Sequence, residues 1–205
     1  MPEPAAERDP TAEVLGPAYA ERLARTQSRA WKRWAPNPYR AFLRRLDLGL
    51  VLDVGCGLGR SLGYLDGHGA GIDPNEVVVA RARAAGFDVS TPEQFRTGPH
   101  RSTVFDSMLC AHVLEHLDEP TGVALLRSWL PWIRPGGTVV LITPQERGQR
   151  SDPTHVRFVD DAGLRRLADA AGIGIGSVRS FPFPRPAGKV FVYNETVLLG
   201  TAPSP

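Results

Sequence analysis

Along the first part of the chain, Tyr19, Leu23, Thr26, Ala30 and Trp34 recur at helical spacing, with Arg22, Arg25, Arg29 and Arg33 on a neighbouring face. The pattern predicts an amphipathic helix stopped by Pro36-Asn37-Pro38. A second short helix follows, with Tyr39, Phe42, Leu43 and Leu46 facing inward. The arginine stripe reads as a solvated face, because few stacking aromatics are interleaved with it.

From Leu50 the period changes, and short apolar runs alternate with helical segments. Strands are predicted over 50–54, 70–73, 87–90, 102–110 and 138–143. Helices are predicted over 60–65, 76–85, 121–133 and 160–171. Another starts at Thr91-Pro92-Glu93-Gln94, with Thr91 as cap, Pro92 in the first position and Gln94 reaching back. The last two extended runs, 175–181 and 190–199, have only a proline-rich connection between them. Parallel strands need a crossover of a dozen residues or more, so these two are expected to pair antiparallel. The expected architecture is an open α/β sheet, mostly parallel, preceded by N-terminal helices and ending in an antiparallel hairpin. Residues 1–12 read as a loose leader, 13–48 as the N-terminal helices and 49–205 as the main domain.

Composition narrows the classes. With 205 residues, 42% hydrophobic and 22% charged, the chain is neither a disordered nor a fibrous sequence. No apolar run approaches the roughly 20 residues that cross a bilayer, and the polar start is unlike a signal peptide. A cytoplasmic protein with no membrane partner is the expectation. The net charge of +2 gives no reason to favour nucleic acid. The two cysteines, Cys56 and Cys110, exclude a disulfide scaffold and a four-cysteine zinc site, and are expected to stay thiols.

The most informative stretch is Val51-Leu52-Asp53-Val54-Gly55-Cys56-Gly57-Leu58-Gly59. A glycine turn after a buried strand lets a ligand approach the backbone, and Asp73, twenty residues after Asp53, is placed to accept from two ribose hydroxyls. A nicotinamide dinucleotide site would place a third glycine at position 60, which is Arg60. The acid two residues before G-x-G-x-G, the Arg-Pro-Gly-Gly turn at 134–137 and the terminal hairpin together resemble the class I S-adenosylmethionine-dependent methyltransferases. The resemblance covers residues 50–200 and implies a Rossmann-like sheet. It assigns Asp53, Gly55, Cys56, Gly57 and Gly59 to the methionine end of S-adenosylmethionine, and Asp73 with Pro74 to the ribose. Thr91 and Glu93 would lie by the adenine, and Ala111 and His112 under the sulfonium.

A sulfonium is an activated methyl donor, so such an enzyme mainly aligns donor and acceptor. A hydroxyl acceptor must also lose its proton or bind a metal. His155 and His112 are the candidate catalytic residues. Residues 112–116 literally match the H-x-x-E-H pattern of zinc peptidases, but they follow a strand of a nucleotide-type sheet, the wrong context for that chemistry. A closer likeness is the Glu-x-x-Glu-His magnesium motif of some sugar-hydroxyl methyltransferases, from which this chain departs by placing His112 where the first Glu stands. Glu115, His116, His112 and His155 are thus candidate ligands of a divalent metal such as Mg2+, with a softer ion suiting the imidazoles better. The alternative is that Glu115 and His116 form a structural pair, as in metal-free family members.

The polar segment after the fifth strand supplies Gln145, Glu146, Arg147, Asp152, Thr154 and Arg157 as candidate substrate contacts. These groups suit a polyhydroxylated acceptor, and the loops are similar to those of a compact actinobacterial group of sugar O-methyltransferases. The first expectation is therefore O-methylation of a sugar hydroxyl on a mannoside or oligosaccharide. A quinone or other small natural product is the alternative acceptor. A cofactor-binding protein without catalysis is a third reading, and the chain is expected to be a monomer or homodimer.

Overall fold

The computed structural model describes Glu21 and residues 38–204. The expected leader and the rest of the 19–34 helix, with its arginine stripe, lie outside the described residues.

The described chain runs α1 (Pro38–Arg45), β1 (Val51–Val54), α2 (Arg60–Tyr64), β2 (Gly69–Ile72), α3 (Glu76–Ala84), β3 (Val89–Ser90) and α4 (Pro92–Thr97). It continues through β4 (Phe105–Ala111), α5 (Glu119–Trp129), β5 (Ile133–Pro144), α6 (Glu146–Gln149), α7 (Asp161–Ala171), β6 (Gly174–Phe181) and β7 (Glu195–Thr201). The seven strands form one sheet in the order β3-β2-β1-β4-β5-β7-β6. The first five are parallel; β7 lies antiparallel between β5 and β6, with Leu141 opposite Leu198. The expected Rossmann-like sheet with a terminal hairpin is the observed fold.

Successive strand residues point to opposite faces, and parallel strands need both faces covered. Leu52, Met108, Cys110, Val139 and Leu141 therefore pack on one side with Leu126, Trp129 and Leu164 from α5 and α7. Val51, Leu109, Val140 and Ile142 pack on the other with Phe42 and Leu43 of α1. Removing one of the fully buried leucines leaves a cavity and costs about 2–5 kcal/mol.

Helix starts follow local chemistry. Thr91 and Gln94 form the expected capping box on α4. Helix α5 begins two residues earlier than expected, because the Asp118 carboxylate accepts the Thr121 N–H at 2.8 Å and caps it. It stops before Pro131, which cannot continue a helix.

The apolar run Val190-Phe191-Val192-Tyr193 is not a strand, and β7 begins only at Glu195. Asn194 diverts it. Its buried side chain donates to Gln145 Oε1 (2.8 Å) and Ser180 Oγ (2.9 Å) and accepts from the Phe183 N–H (3.0 Å), folding 182–194 into a loop. Strand order reverses direction between β1 and β4, the place where open α/β sheets bind ligands. No helix among the described residues is long and apolar enough to cross a membrane.

Candidate active site

Beyond β1 the chain turns through Gly55 and Gly59, at φ of +76° and +78°. Side chains are strained at these angles, and an added Cβ would come within 2.2 Å of Val113 at the first and 2.5 Å of Phe87 at the second. The Gly55 and Cys56 amides both donate to the Ile72 carbonyl. Asp73, buried at the end of β2, accepts the Gly57 N–H at 3.0 Å and the Asn75 N–H at 2.9 Å. One carboxylate thus fastens the glycine turn to the next loop. Burial raises the Asp73 carboxyl, and these two amides pull it back down.

A cleft of roughly 380 Å³ opens over this turn. Asp53, Gly55, Cys56, Gly57, Ala111, His112, His116, Asp152 and His155 line it, so nine of the residues proposed from sequence are brought to one space. Asp53 is buried, and its Oδ2 accepts no hydrogen bond. Burial drives its carboxyl up to about 7, eased by Arg60 and aggravated by Asp73. An acid without a donor, beside a turn open to ligand, fits the cationic methionine end of S-adenosylmethionine.

The other expected cofactor contacts lie outside the cleft lining. Gly59 caps α2, Pro74 is exposed beside Asp73, Thr91 caps α4, and Glu93 is exposed in the first turn of α4. Cys56 and Cys110 are buried free thiols, both pushed up by burial.

His112 does not have the geometry of a free base. Its backbone sits at φ +61°, and its ring lies between two acids, with Nε2 2.9 Å from Glu195 Oε1 and Nδ1 3.3 Å from Glu115 Oε1. Burial alone would lower its pKa, but the two carboxylates outweigh it and lift the ring to about 10. A ring held between two carboxylates is poorly placed to act as a free base, and the group of converging ligand atoms found among the described residues does not include it.

His155, Glu115 and His116 do converge, each offering a ligand atom within 4.8 Å of the others. The His116 and His155 rings are edge to face at 4.7 Å. His116 Nδ1 bonds the Thr154 carbonyl and His155 Nδ1 the Gln149 carbonyl, both at 3.0 Å. Burial lowers the His116 pKa.

Most of the polar segment after β5 is engaged elsewhere. The Gln145 amide is fully buried and donates to Ser180 Oγ and the Glu195 carbonyl. Glu146 pairs with Arg185 through both oxygens, and Arg157 donates to Glu119 at 2.7 Å. Thr154 is buried, and its N–H and hydroxyl both donate to Asp152 Oδ1. Arg147 is exposed. Of the six expected substrate contacts, only Asp152 reaches the cleft wall.

Arg60, Ser61, Ser151 and Glu195 also line the cleft without having been assigned a role in it from sequence, beside Tyr193, whose aromatic face suits sugar stacking. Glu195 carries a signal in hindsight: it is an acid opening a strand that is otherwise apolar or small.

Comparison with known proteins agrees with this geometry. The family described as a methyltransferase domain matches residues 23–178. A ubiquinone biosynthesis O-methyltransferase of Xanthomonas oryzae pv. oryzae is 34% identical over 110 residues, 48% of this chain and 45% of that protein. The chain thus spans less than half the length of that relative. Its counterpart in Chromobacterium violaceum is 24% identical over 171 residues, covering 71% of this chain and 72% of the relative. The magnesium protoporphyrin IX methyltransferase of Synechocystis PCC 6803, solved with bound S-adenosylmethionine, superposes with a TM-score of 0.61 at 16% identity, covering 98% of this chain and 100% of that one. These relatives do not support the mannoside specificity expected from the loops; the alternative, a quinone-type acceptor, accords with them better. By its sheet, its glycine turn and the match over residues 23–178, the chain belongs to the S-adenosylmethionine-dependent methyltransferase family.

Proposed function

We propose that this chain methylates a hydroxyl oxygen of a small-molecule acceptor of the phenol or quinol class. The observation that carries the reading is that one cleft is lined both by the Asp53 carboxyl, whose Oδ2 accepts no hydrogen bond, and by the His116–His155 pair. S-adenosylmethionine, when bound, supplies the methyl group as part of a sulfonium. Asp53 would pair with its ammonium, the turn at 55–59 would lie along its methionine end, and Asp73 would accept from its ribose. His155 is the acceptor-activating residue. Because its Nδ1 faces a carbonyl, Nδ1 carries the proton and Nε2 is left with a free lone pair.

Sugar O-methylation is the second reading, favoured by Ser151, Asp152 and the half-exposed Tyr193 ring on the cleft wall. Transfer of labelled methyl to a panel of ortho-diphenols and of mannosides separates the two. Label in the diphenols is expected, and label confined to the mannosides would replace the first reading by the second. His155→Ala should slow turnover about 10²–10⁴-fold while cofactor affinity stays within about twofold. Turnover within about threefold of the parent would make His155 structural.

A further inference from the structure

We propose that the loop over 182–193 docks the mouth of the cleft onto an anionic lipid surface. The first observation is where the exposed apolar side chains gather. Val77, Val104 and Ile175 come from three separate parts of the chain, and scattered apolar residues of this kind are ordinary. Phe183, Val190, Phe191 and Tyr193 instead share one loop, at 51%, 78%, 37% and 50% exposure. The Phe191 ring meets Phe183 edge to face at 5.4 Å and Tyr193 at 5.7 Å, so the three rings make one continuous patch. At about 150–250 Å² per ring they leave roughly 200–350 Å² in water, before Val190 is added. An exposed patch of this size marks an interaction site.

The second observation is the charge around the patch. Residues 182–193 hold two cations, Arg185 and Lys189, and no acid. The segment that lies against the loop adds Arg147 and Arg150, both exposed. Arg185 donates to both oxygens of Glu146, and a Cβ added at Gly148 would come within 2.8 Å of the Val192 carbonyl oxygen. The first contact uses up Arg185 and Glu146 together, which leaves Lys189, Arg147 and Arg150 to set the sign. Aromatic rings bordered by lysine and arginine suit a bilayer interface, where rings settle at headgroup level and the cations meet anionic headgroups. The buried centre of a protein–protein contact is instead depleted in lysine.

The third observation is that the loop is held in this shape before anything covers it. Buried Asn194 accepts the Phe183 N–H at 3.0 Å and donates to the Phe183 carbonyl at 3.3 Å, while Glu146 clamps Arg185. Side chains ordered before contact lose less entropy on docking. The patch is also continuous with the cleft, because Val192 and Tyr193 line its wall. A lipophilic acceptor would then pass from lipid to cleft without crossing water. This last point rests on the proposed function; the docking does not.

The test is co-sedimentation of the full chain, without cofactor or acceptor, with vesicles of phosphatidylcholine alone and of phosphatidylcholine with about one-third phosphatidylglycerol. Binding to the anionic vesicles is expected, and it should weaken as salt is raised. Lys189→Ala should weaken it about fivefold, and Phe183→Ser combined with Phe191→Ser at least about tenfold. Val190→Asp, at the most exposed of the four positions, should weaken it likewise without disturbing the fold. Val104→Asp should change nothing, since Val104 is 63% exposed just before β4, at the opposite end of that strand from the cleft. No binding to the anionic vesicles, or binding that Val190→Asp leaves intact, overturns the proposal. Sedimentation equilibrium showing a dimer that Val190→Asp separates also overturns it, because a second copy then covers the patch. Labelled methyl transfer to soluble diphenols reports separately on the proposed function, so either idea can fail alone.

Discussion

Replacing Asp53 by asparagine should stabilise the cofactor-free protein relative to the parent by an amount that grows as pH rises towards 7 and then levels off. The carboxyl is raised by burial from its ordinary 3.8 to about 7 in the fold. A folded chain that holds this proton more tightly than the unfolded chain loses stability as it titrates. The contribution is fully present below 3.8, declines from there to pH 7, and is constant above. At 1.36 kcal/mol per tenfold change in proton affinity, the wild type loses about 2.6 kcal/mol between pH 5 and pH 8 from this group. The asparagine variant, which has nothing to titrate there, loses none of it. Urea denaturation of both proteins at pH 5, 6, 7 and 8 measures the difference. With a slope of about 2 kcal/mol per molar urea, the gap between midpoints should widen by roughly 1.3 M across that range. A gap constant to within about 0.2 M would refute the claim that Asp53 is a carboxyl strained by burial, and with it the argument that a cationic ligand end relieves it.

The remaining expectations follow from the same contacts. Calorimetry should show S-adenosylmethionine affinity falling about fivefold from pH 7 to pH 6, as Asp53 gains the proton that ion pairing must expel, and flat in Asp53→Asn. Asp73→Ala should weaken cofactor binding by about 1.5–3 kcal/mol, and affinity unchanged within about twofold would remove it from the ribose site. His112→Ala strands Glu115 and Glu195 without their shared cation and should cost about 2–4 kcal/mol in urea denaturation; a cost below about 0.5 kcal/mol would show that the pair tolerates separation. Gln145→Ala should lower stability by about 2–3 kcal/mol by leaving the Asn194 amide short of a partner, yet barely move the acceptor KM; the reverse pattern would restore Gln145 to the acceptor site.

What the sequence revealed was local or periodic. The strand runs, the glycine turn behind Asp53 and the Thr91–Gln94 box each depend on neighbours within a few positions, so their chemistry can be read directly. The convergence of His116 with His155 followed from strand order, because both loops leave the same edge of the sheet. What escaped depended on partners far along the chain. His112 looked like a base because Glu195, 83 residues away, was not visible beside it. Gln145 looked like a substrate contact because a polar residue after a strand usually faces ligand, whereas here Asn194 and Gly188 enclose it. The run at 190–193 has strand-like composition, and only the buried Asn194 hub shows why it bends.

The position of β7 has a consequence for how the protein is made. Synthesis runs from the N-terminus, and folding can begin on the ribosome. All five parallel strands, the glycine turn and both histidines of the convergent pair precede residue 160. The strand that covers the open side of β5, and that delivers Glu195 to His112, does not emerge until residues 195–201 have been translated. Until then β5 is an exposed edge, and His112 faces Glu115 alone. A partly made chain thus has most of the cleft wall while the His112 end of it is still electrostatically unfinished. The antiparallel insertion makes completion of the cleft wall coincide with protection of the sheet edge.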